Sequence, residues 1–103
     1  MTRIIVSADA RQDRNDILRY LEREAGAPIA EKYALRFRDT IKRLQDYPEI
    51  GSLQPALGAI ARVAIIAPYL LIYDYASSSD KVTVLRILHG KRKAATKAFS
   101  PTE

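Results

Sequence analysis

Hydrophobic and polar positions along this chain follow first an extended and then a helical period. Residues 3–8 (RIIVSA) form a short apolar run rich in β-branched side chains, which predicts a strand. Residues 9–26 follow a helical period, with Ser7 or Asp9 available as N-cap and Gly26 as terminator. The chain is therefore expected to open with a strand and a helix.

A second and stronger helical pattern begins at Pro28, a residue suited to the first turn of a helix. Its apolar positions recur every three or four residues and mark one buried face: Ala30, Tyr33, Ala34, Phe37, Ile41 and Leu44. The segment DYPEIGS (residues 46–52) ends this helix, because the residue before a proline avoids helical geometry. With a linker of about three residues, the two helices are expected to form an antiparallel hairpin.

From residue 61 onward the period is extended again, and three segments are predicted strands: residues 61–67, 69–76 and 81–88. Pro68 and the polar turn SSSD separate them, and connections this short predict a three-stranded antiparallel meander. The basic segment 90–99 (GKRKAATKAF) is predicted to be a short C-terminal helix or tail. Residues 1–103 are thus expected to form one α+β domain with both helices on one face of the sheet.

Residue usage excludes several kinds of chemistry. The chain has no cysteine and a single histidine, so it has no disulfide, thiolate nucleophile or cysteine-ligated metal site. We predict neither a metal nor a cofactor. The first residues match neither a signal peptide nor a membrane span, so a cytoplasmic protein without membrane contact is expected.

Positive charge is concentrated in the second half of the chain. The net charge is +5, and from Gly51 onward seven Lys or Arg residues face three acidic ones. Such asymmetry favours an anionic partner, either nucleic acid or an acidic protein segment. The alternative is that these residues are solvated surface charges that keep a small protein soluble.

The segment TVLRILHGKRK (residues 83–93) contains two residues with competing interpretations. Strict alternation places His89 with Thr83, Leu85 and Ile87 on one strand face, and Arg86 with Val82, Val84 and Leu88 on the other. His89 is either a half-buried, hydrogen-bonded residue at a strand end or a general acid or base. Arg86 must pair with an acid, for which Asp74 is a candidate, or reach a partner at the surface.

Tyrosines at alternate positions mark one face of the middle predicted strand. Tyr69, Tyr73 and Tyr75 share this face with Leu71. Core packing explains the pattern, and the alternative is a groove that uses amphipathic rings as interface anchors.

The order of these segments resembles the ParE branch of the RelE/ParE superfamily, the toxins of bacterial type II toxin-antitoxin modules, also described as plasmid stabilisation proteins. Nearly the whole chain carries the resemblance, and YLLIYDY followed by VLRILHGKR is its most specific part. The resemblance implies an antiparallel sheet packed against a helical hairpin. It also implies a cognate antitoxin, with which the toxin forms a hetero-oligomer.

RelE-like members of the superfamily are ribosome-dependent mRNA endoribonucleases, and this chain departs from their pattern. Leu70 stands where a phosphate-binding arginine is expected, Ala64 replaces a second cation, and the nearest C-terminal aromatic, Phe99, cannot exchange a proton. The residues left for a nuclease acting on the ribosome and mRNA are Arg62, His89 and Arg92. The resemblance therefore favours the ParE branch, whose members inhibit DNA gyrase by binding and need no catalytic residue.

Site residues follow from this resemblance as expectations. Candidate contacts to the target are Arg86, Lys91, Arg92 and Lys93. Candidate contacts to the antitoxin are Tyr69, Leu71, Tyr73 and Tyr75. A third hypothesis is an inactive homologue retained as an antitoxin-binding subunit.

Overall fold

A helical hairpin lies against one face of a five-stranded sheet in the computed structural model, which describes residues 2–90. The elements are β1 (Arg3–Val6), α1 (Ala8–Ala25), α2 (Ala27–Asp46), β2 (Ser52–Leu53), β3 (Ala61–Ile66), β4 (Tyr69–Ala76) and β5 (Lys81–His89). One 3-10 turn, Pro55–Leu57, lies between β2 and β3. The predicted C-terminal helix or tail, from residue 91 onward, lies outside the described residues.

Local sequence signals set both ends of the helical hairpin. Ser7 caps α1 by accepting a hydrogen bond from the Ala10 N–H, and its hydroxyl donates to the carbonyl of Leu85 on β5. Gly26 alone separates the helices, at a φ of 96° that favours glycine. The predicted linker of three residues is therefore too long, because one glycine both ends α1 and precedes α2.

The sheet has the order β1-β5-β4-β3-β2 and contains both kinds of pairing. The antiparallel meander β3-β4-β5 is confirmed. The expected antiparallel sheet is confirmed only in part, because β1 pairs with β5 in parallel and the sheet is therefore mixed. The hairpin and three strands between them provide the long connection that a parallel pair requires. The two-residue β2 went unpredicted because it is too short to show a period.

A β-bulge interrupts β5 and changes which residues face the helices. Ile72 pairs with Arg86 and the next residue, Tyr73, pairs with Val84, so Leu85 is an extra residue in the strand. Alternation therefore restarts in the middle of β5.

The bulge makes the predicted faces of β5 wrong. Three residues of the strand are buried in the core cluster with the helices: Val82, Val84 and Ile87. Arg86 consequently does not share a face with Val82 and Val84. His89 shares its face with Ile87, as expected, but not with Thr83 or Leu85.

The core lies between the hairpin and the helix-facing side of the sheet. Its helical members Ala10, Phe37 and Leu44 are fully buried and pack on residues of β3, β4 and β5. Tyr69 meets Phe37 in an edge-to-face contact with ring centroids 5.7 Å apart. This arrangement confirms the buried face that the helical period of α2 predicts at Phe37 and Leu44.

Tyr73 fixes the turn after α2 to the sheet. Its hydroxyl donates to the Pro48 carbonyl at 2.7 Å and accepts the Gly51 N–H at 2.9 Å. A Cβ at position 51 would lie 2.7 Å from that hydroxyl, so glycine is required for the close approach. Arg62 completes the clamp by donating to the carbonyls of Glu49 and Gly51.

Tyr73→Phe is expected to lower the free energy of unfolding by about 1–3 kcal/mol, because the buried Gly51 N–H and the Pro48 carbonyl both lose their partner. Urea denaturation measures the change. Tyr75→Phe is the matched control, since the Tyr75 hydroxyl makes an exposed hydrogen bond to Asp80, and a smaller loss is expected. Equal losses in the two variants would contradict the clamp.

Stability is also expected to fall at alkaline pH. Burial raises the pKa of Tyr73 and of Tyr69, so the unfolded chain releases these phenolic protons at lower pH than the folded chain. The free energy of unfolding should therefore decrease as the pH rises above about 10. Urea midpoints measured from pH 8 to 11 test this, and Tyr73→Phe should make the decrease shallower.

Candidate functional site

An open pocket of about 590 Å³ lies where α1 crosses the last strand. Because β1 pairs with β5 only as far as Val84, the second half of β5 has a free edge. Helix α1 covers that edge. The pocket is lined by Asp13, Asp16, Ile17 and Tyr20 of the helix, by Tyr69, and by Arg86, Ile87, Leu88 and His89 of β5.

Asp13 is the central group of this pocket and holds the helix to the strand edge. Its carboxylate accepts Nε of Arg86 at 2.6 Å and Nη2 at 3.0 Å, a bidentate pair. It also accepts the Ile87 N–H at 3.0 Å, a backbone donor of the free edge. The side chains of Asp13 and Arg86 are 14% and 31% exposed, so this ion pair is partly shielded from water. The hydrogen bonds that Arg86 donates to Asp13 raise the pKa of Arg86.

The acid that pairs with Arg86 is thus on the helix, and the candidate proposed from the sequence is wrong. Asp74 lies on β4, opposite Thr83 of β5. Burial raises the pKa of the Asp74 carboxyl. The bulge at Leu85 and the position of α1 direct Arg86 towards Asp13, and neither is visible in a strand alternation pattern.

Asp13 is not among the site residues predicted from the sequence, although its position on α1 indicates a contact. It stands three residues after Ala10 and four before Ile17, on the apolar stripe of α1. A carboxylate on a buried stripe needs a partner, so its position indicates a contact with a cation from another element.

His89 lies at the end of β5 and is half-buried, as its position predicts. Its ring meets Tyr69 edge-to-face with centroids 5.6 Å apart. Because burial raises the pKa of Tyr69, that phenol stays protonated at neutral pH. Among residues 2–90, the pocket around both rings is lined by two carboxylates, Asp13 and Asp16, and by one guanidinium, that of Arg86, a balance that disfavours phosphate.

The residues of the alternative nuclease are not brought together within residues 2–90. Arg62 pairs with Tyr73 and His89 with Tyr69, which places them four residues apart along β4, a separation of about 13 Å. The guanidinium of Arg62 is also occupied by the turn after α2. The third candidate, Arg92, lies outside the described residues.

Three of the four antitoxin-contact candidates are core residues. Tyr69, Leu71 and Tyr73 are buried beneath the helices, and Tyr75 is half-buried with its hydroxyl on Asp80. Core packing therefore explains Tyr69 and Tyr73, and the side chains of Tyr69, Leu71 and Tyr73 offer almost no surface to a partner in this conformation.

Among the target-contact candidates, the structure describes only Arg86, whose charge is matched by Asp13. Lys91, Arg92 and Lys93 lie outside the described residues. Within residues 2–90, no cluster of three or more His, Cys, Asp or Glu side chains could hold a metal ion. No helix in that range is long and apolar enough to cross a membrane.

Two solved structures share this fold. A chain of the chromosomal ParDE TA system from P. aeruginosa matches with a TM-score of 0.72 at 19% identity, over 86% of this chain and 96% of that one. The isolated E. coli RelE toxin matches with a TM-score of 0.61 at 14% identity, over 95% of each chain. No curated protein sequence is significantly similar to this chain.

The family comparison is more specific than these structural similarities. The family model described as ParE toxin of type II toxin-antitoxin system, parDE, matches residues 4–94. The chain therefore belongs to the ParE toxin family of type II toxin-antitoxin systems.

Asp13→Ala is expected to lower the free energy of unfolding by about 2–4 kcal/mol, because it leaves a partly buried guanidinium and the Ile87 N–H without an acceptor. A double-mutant cycle with Arg86→Met, followed by urea denaturation, should give a coupling energy of about 1–3 kcal/mol. The exposed pair Arg38 and Asp39 is the control, with an expected coupling below about 0.5 kcal/mol. A coupling near zero between Asp13 and Arg86 would contradict their structural role.

Proposed function

We propose that this protein is the toxin of a type II module, that it inhibits DNA gyrase by binding, and that a cognate antitoxin neutralises it in a hetero-oligomer. Membership of the ParE toxin family supports the toxin role. The similar P. aeruginosa chain belongs to a ParDE TA system, which supports an antitoxin partner. Under this proposal the protein acts in the cytoplasm, where gyrase works.

One structural observation favours inhibition by binding over catalysis. The described candidates for nuclease chemistry, Arg62 and His89, lie at separate ends of the sheet, and Arg62 is occupied in holding a turn. General acid and base roles are each worth roughly 10²- to 10⁴-fold in rate, so a scattered set would make a poor ribonuclease.

The proposed contact to the target is the basic segment that follows Gly90. Lys91, Arg92 and Lys93 are the proposed target contacts, because Arg86, the remaining candidate, already has its charge matched by Asp13. Contacts of this kind to gyrase-bound DNA would make inhibition strongly salt-dependent.

Two assays on the purified protein test the proposal: gyrase supercoiling with DNA cleavage, and ribosome-dependent mRNA cleavage. We expect loss of supercoiling and accumulation of cleaved DNA, without mRNA cleavage. Replacing Lys91, Arg92 and Lys93 together by alanine should reduce potency roughly tenfold or more. Lys32→Ala on α2 and His89→Ala should leave potency unchanged.

Two other assay results would contradict the proposal. If mRNA were cleaved and Arg92→Ala abolished cleavage, the protein would be a nuclease and inhibition by binding would be wrong. If neither activity appeared, both the gyrase and the nuclease hypotheses would be wrong, and the hypothesis of an inactive homologue retained as an antitoxin-binding subunit would remain.

A further inference from the structure

The outer edge of β3 has an unpaired position. Gln54 donates its N–H to the carbonyl of Ala61, and Ser52 pairs with Val63, so every second residue of β3 directs its backbone groups outward. By this alternation the N–H and C=O of Ile65 also point outward. Strand β2 begins only at Ser52, which leaves no strand opposite Ile65.

This gap is bounded on both sides. At its far end the carbonyl of Ala67 accepts hydrogen bonds from the Tyr33 hydroxyl at 3.5 Å and Arg36 Nη1 at 3.4 Å. The open edge between Val63 and Ala67 spans four residues, about 13 Å of strand. Within residues 2–90, no hydrogen bond uses the outward backbone groups of Ile65.

A basic flank of α2 runs beside the gap. Arg36, Thr40 and Arg43 are spaced by four and three residues, so they share one side of the helix. Thr40 and Arg43 line a groove of about 250 Å³ together with Ile50 and Ile65. Arg43 is exposed, and none of the ion pairs among residues 2–90 involves it.

The side chain of Ile65 makes this edge unusual. Proteins protect exposed edges with lysine, proline or covering segments, because open strands pair with other chains. Ile65 is instead 71% exposed, the most exposed large hydrophobic residue in the described range. On the other face of the sheet it lines a second hollow, of about 240 Å³, with Leu57 and Leu70.

We propose that this edge binds an extended peptide segment of a protein partner, in which acidic and apolar residues alternate, as an added strand. The backbone of the segment pairs with Ile65. Successive side chains of a strand point to opposite faces, so its acids meet Arg36 and Arg43 while its apolar residues contact Ile65 and Leu70. Assigning the segment to the antitoxin rests on the function proposed above.

The lining of the groove favours a peptide over nucleic acid. Single-stranded nucleic acid needs aromatic rings on which bases stack. No aromatic ring lines this groove among residues 2–90: its large hydrophobic side chains are aliphatic, those of Ile50 and Ile65, and the backbone donor and acceptor of Ile65 are open. Aliphatic contacts and paired backbone groups are the means by which sheet edges recognise extended peptides.

The probe for this proposal is a short capped peptide that alternates glutamate with valine, titrated into the full-length protein and followed by amide NMR. We expect shifts centred on the amides of Ile65 and Arg43 and slower hydrogen exchange at the Ile65 N–H. A matched peptide that alternates lysine with valine should not bind, because it places cations against Arg43.

Two variants with matched controls locate the contact. Ile65→Pro removes the outward N–H but no hydrogen bond to β4, so the fold should persist while affinity falls roughly tenfold or more. Ile65→Thr keeps the N–H and should bind. Arg43→Glu should weaken binding roughly tenfold, whereas Arg38→Glu, on a different side of α2, should not. Circular dichroism and thermal unfolding of each variant verify folding.

Three results would overturn the proposal: undiminished binding of the glutamate-valine peptide to folded Ile65→Pro, no binding by the wild-type protein, or displacement of the peptide from these amides by oligo-dT. None of these measurements involves gyrase. A failed gyrase assay with positive peptide binding would reject the proposed target alone, and the reverse outcome would reject this groove alone.

Discussion

The carboxylate of Asp13 holds the two layers of this protein in register. Strand β1 is too short to cover all of β5, so the second half of that strand would expose unpaired backbone groups. Asp13 satisfies one of them, the Ile87 N–H, and neutralises Arg86 with the same two oxygens. One side chain thereby closes a sheet edge, orients α1 and compensates a partly buried charge, so the pocket beside it depends on this contact.

The arginines Arg86 and Arg62 already have structural partners, which limits their capacity to bind a substrate. Arg86 is paired with Asp13, and Arg62 holds the turn that Tyr73 also binds. Guanidinium groups with their hydrogen bonds already satisfied have little capacity to stabilise a scissile phosphate. These occupied guanidinium groups support the proposal that this member of the ParE toxin family acts as a binding surface.

The two edges of the sheet differ in whether other parts of the chain cover their backbone groups. At β5 the helix covers the free edge and a carboxylate accepts a backbone donor. At β3 the edge is open at Ile65, beside the basic flank of α2. Edge strands that are neither paired nor charged invite added strands. The β5 edge is therefore closed by contacts within the fold, and the β3 edge is the one proposed to bind a partner.

The helical hairpin, the β3-β4-β5 meander and the superfamily could be predicted from the sequence alone, because they follow from local periods and from one specific stretch of residues. Three features could not be predicted and are seen only in the folded chain: the parallel placement of β1, the bulge at Leu85 and the pairing of Arg86 with Asp13. A single extra residue in a strand reverses the alternation of its faces, and the hydrophobic pattern of the sequence does not reveal it. An ion pair between two elements depends on which of them lie side by side in the fold. The separation of Arg62 from His89 and the burial of Tyr69 and Tyr73 became clear only from the register of the strands and the position of the helices.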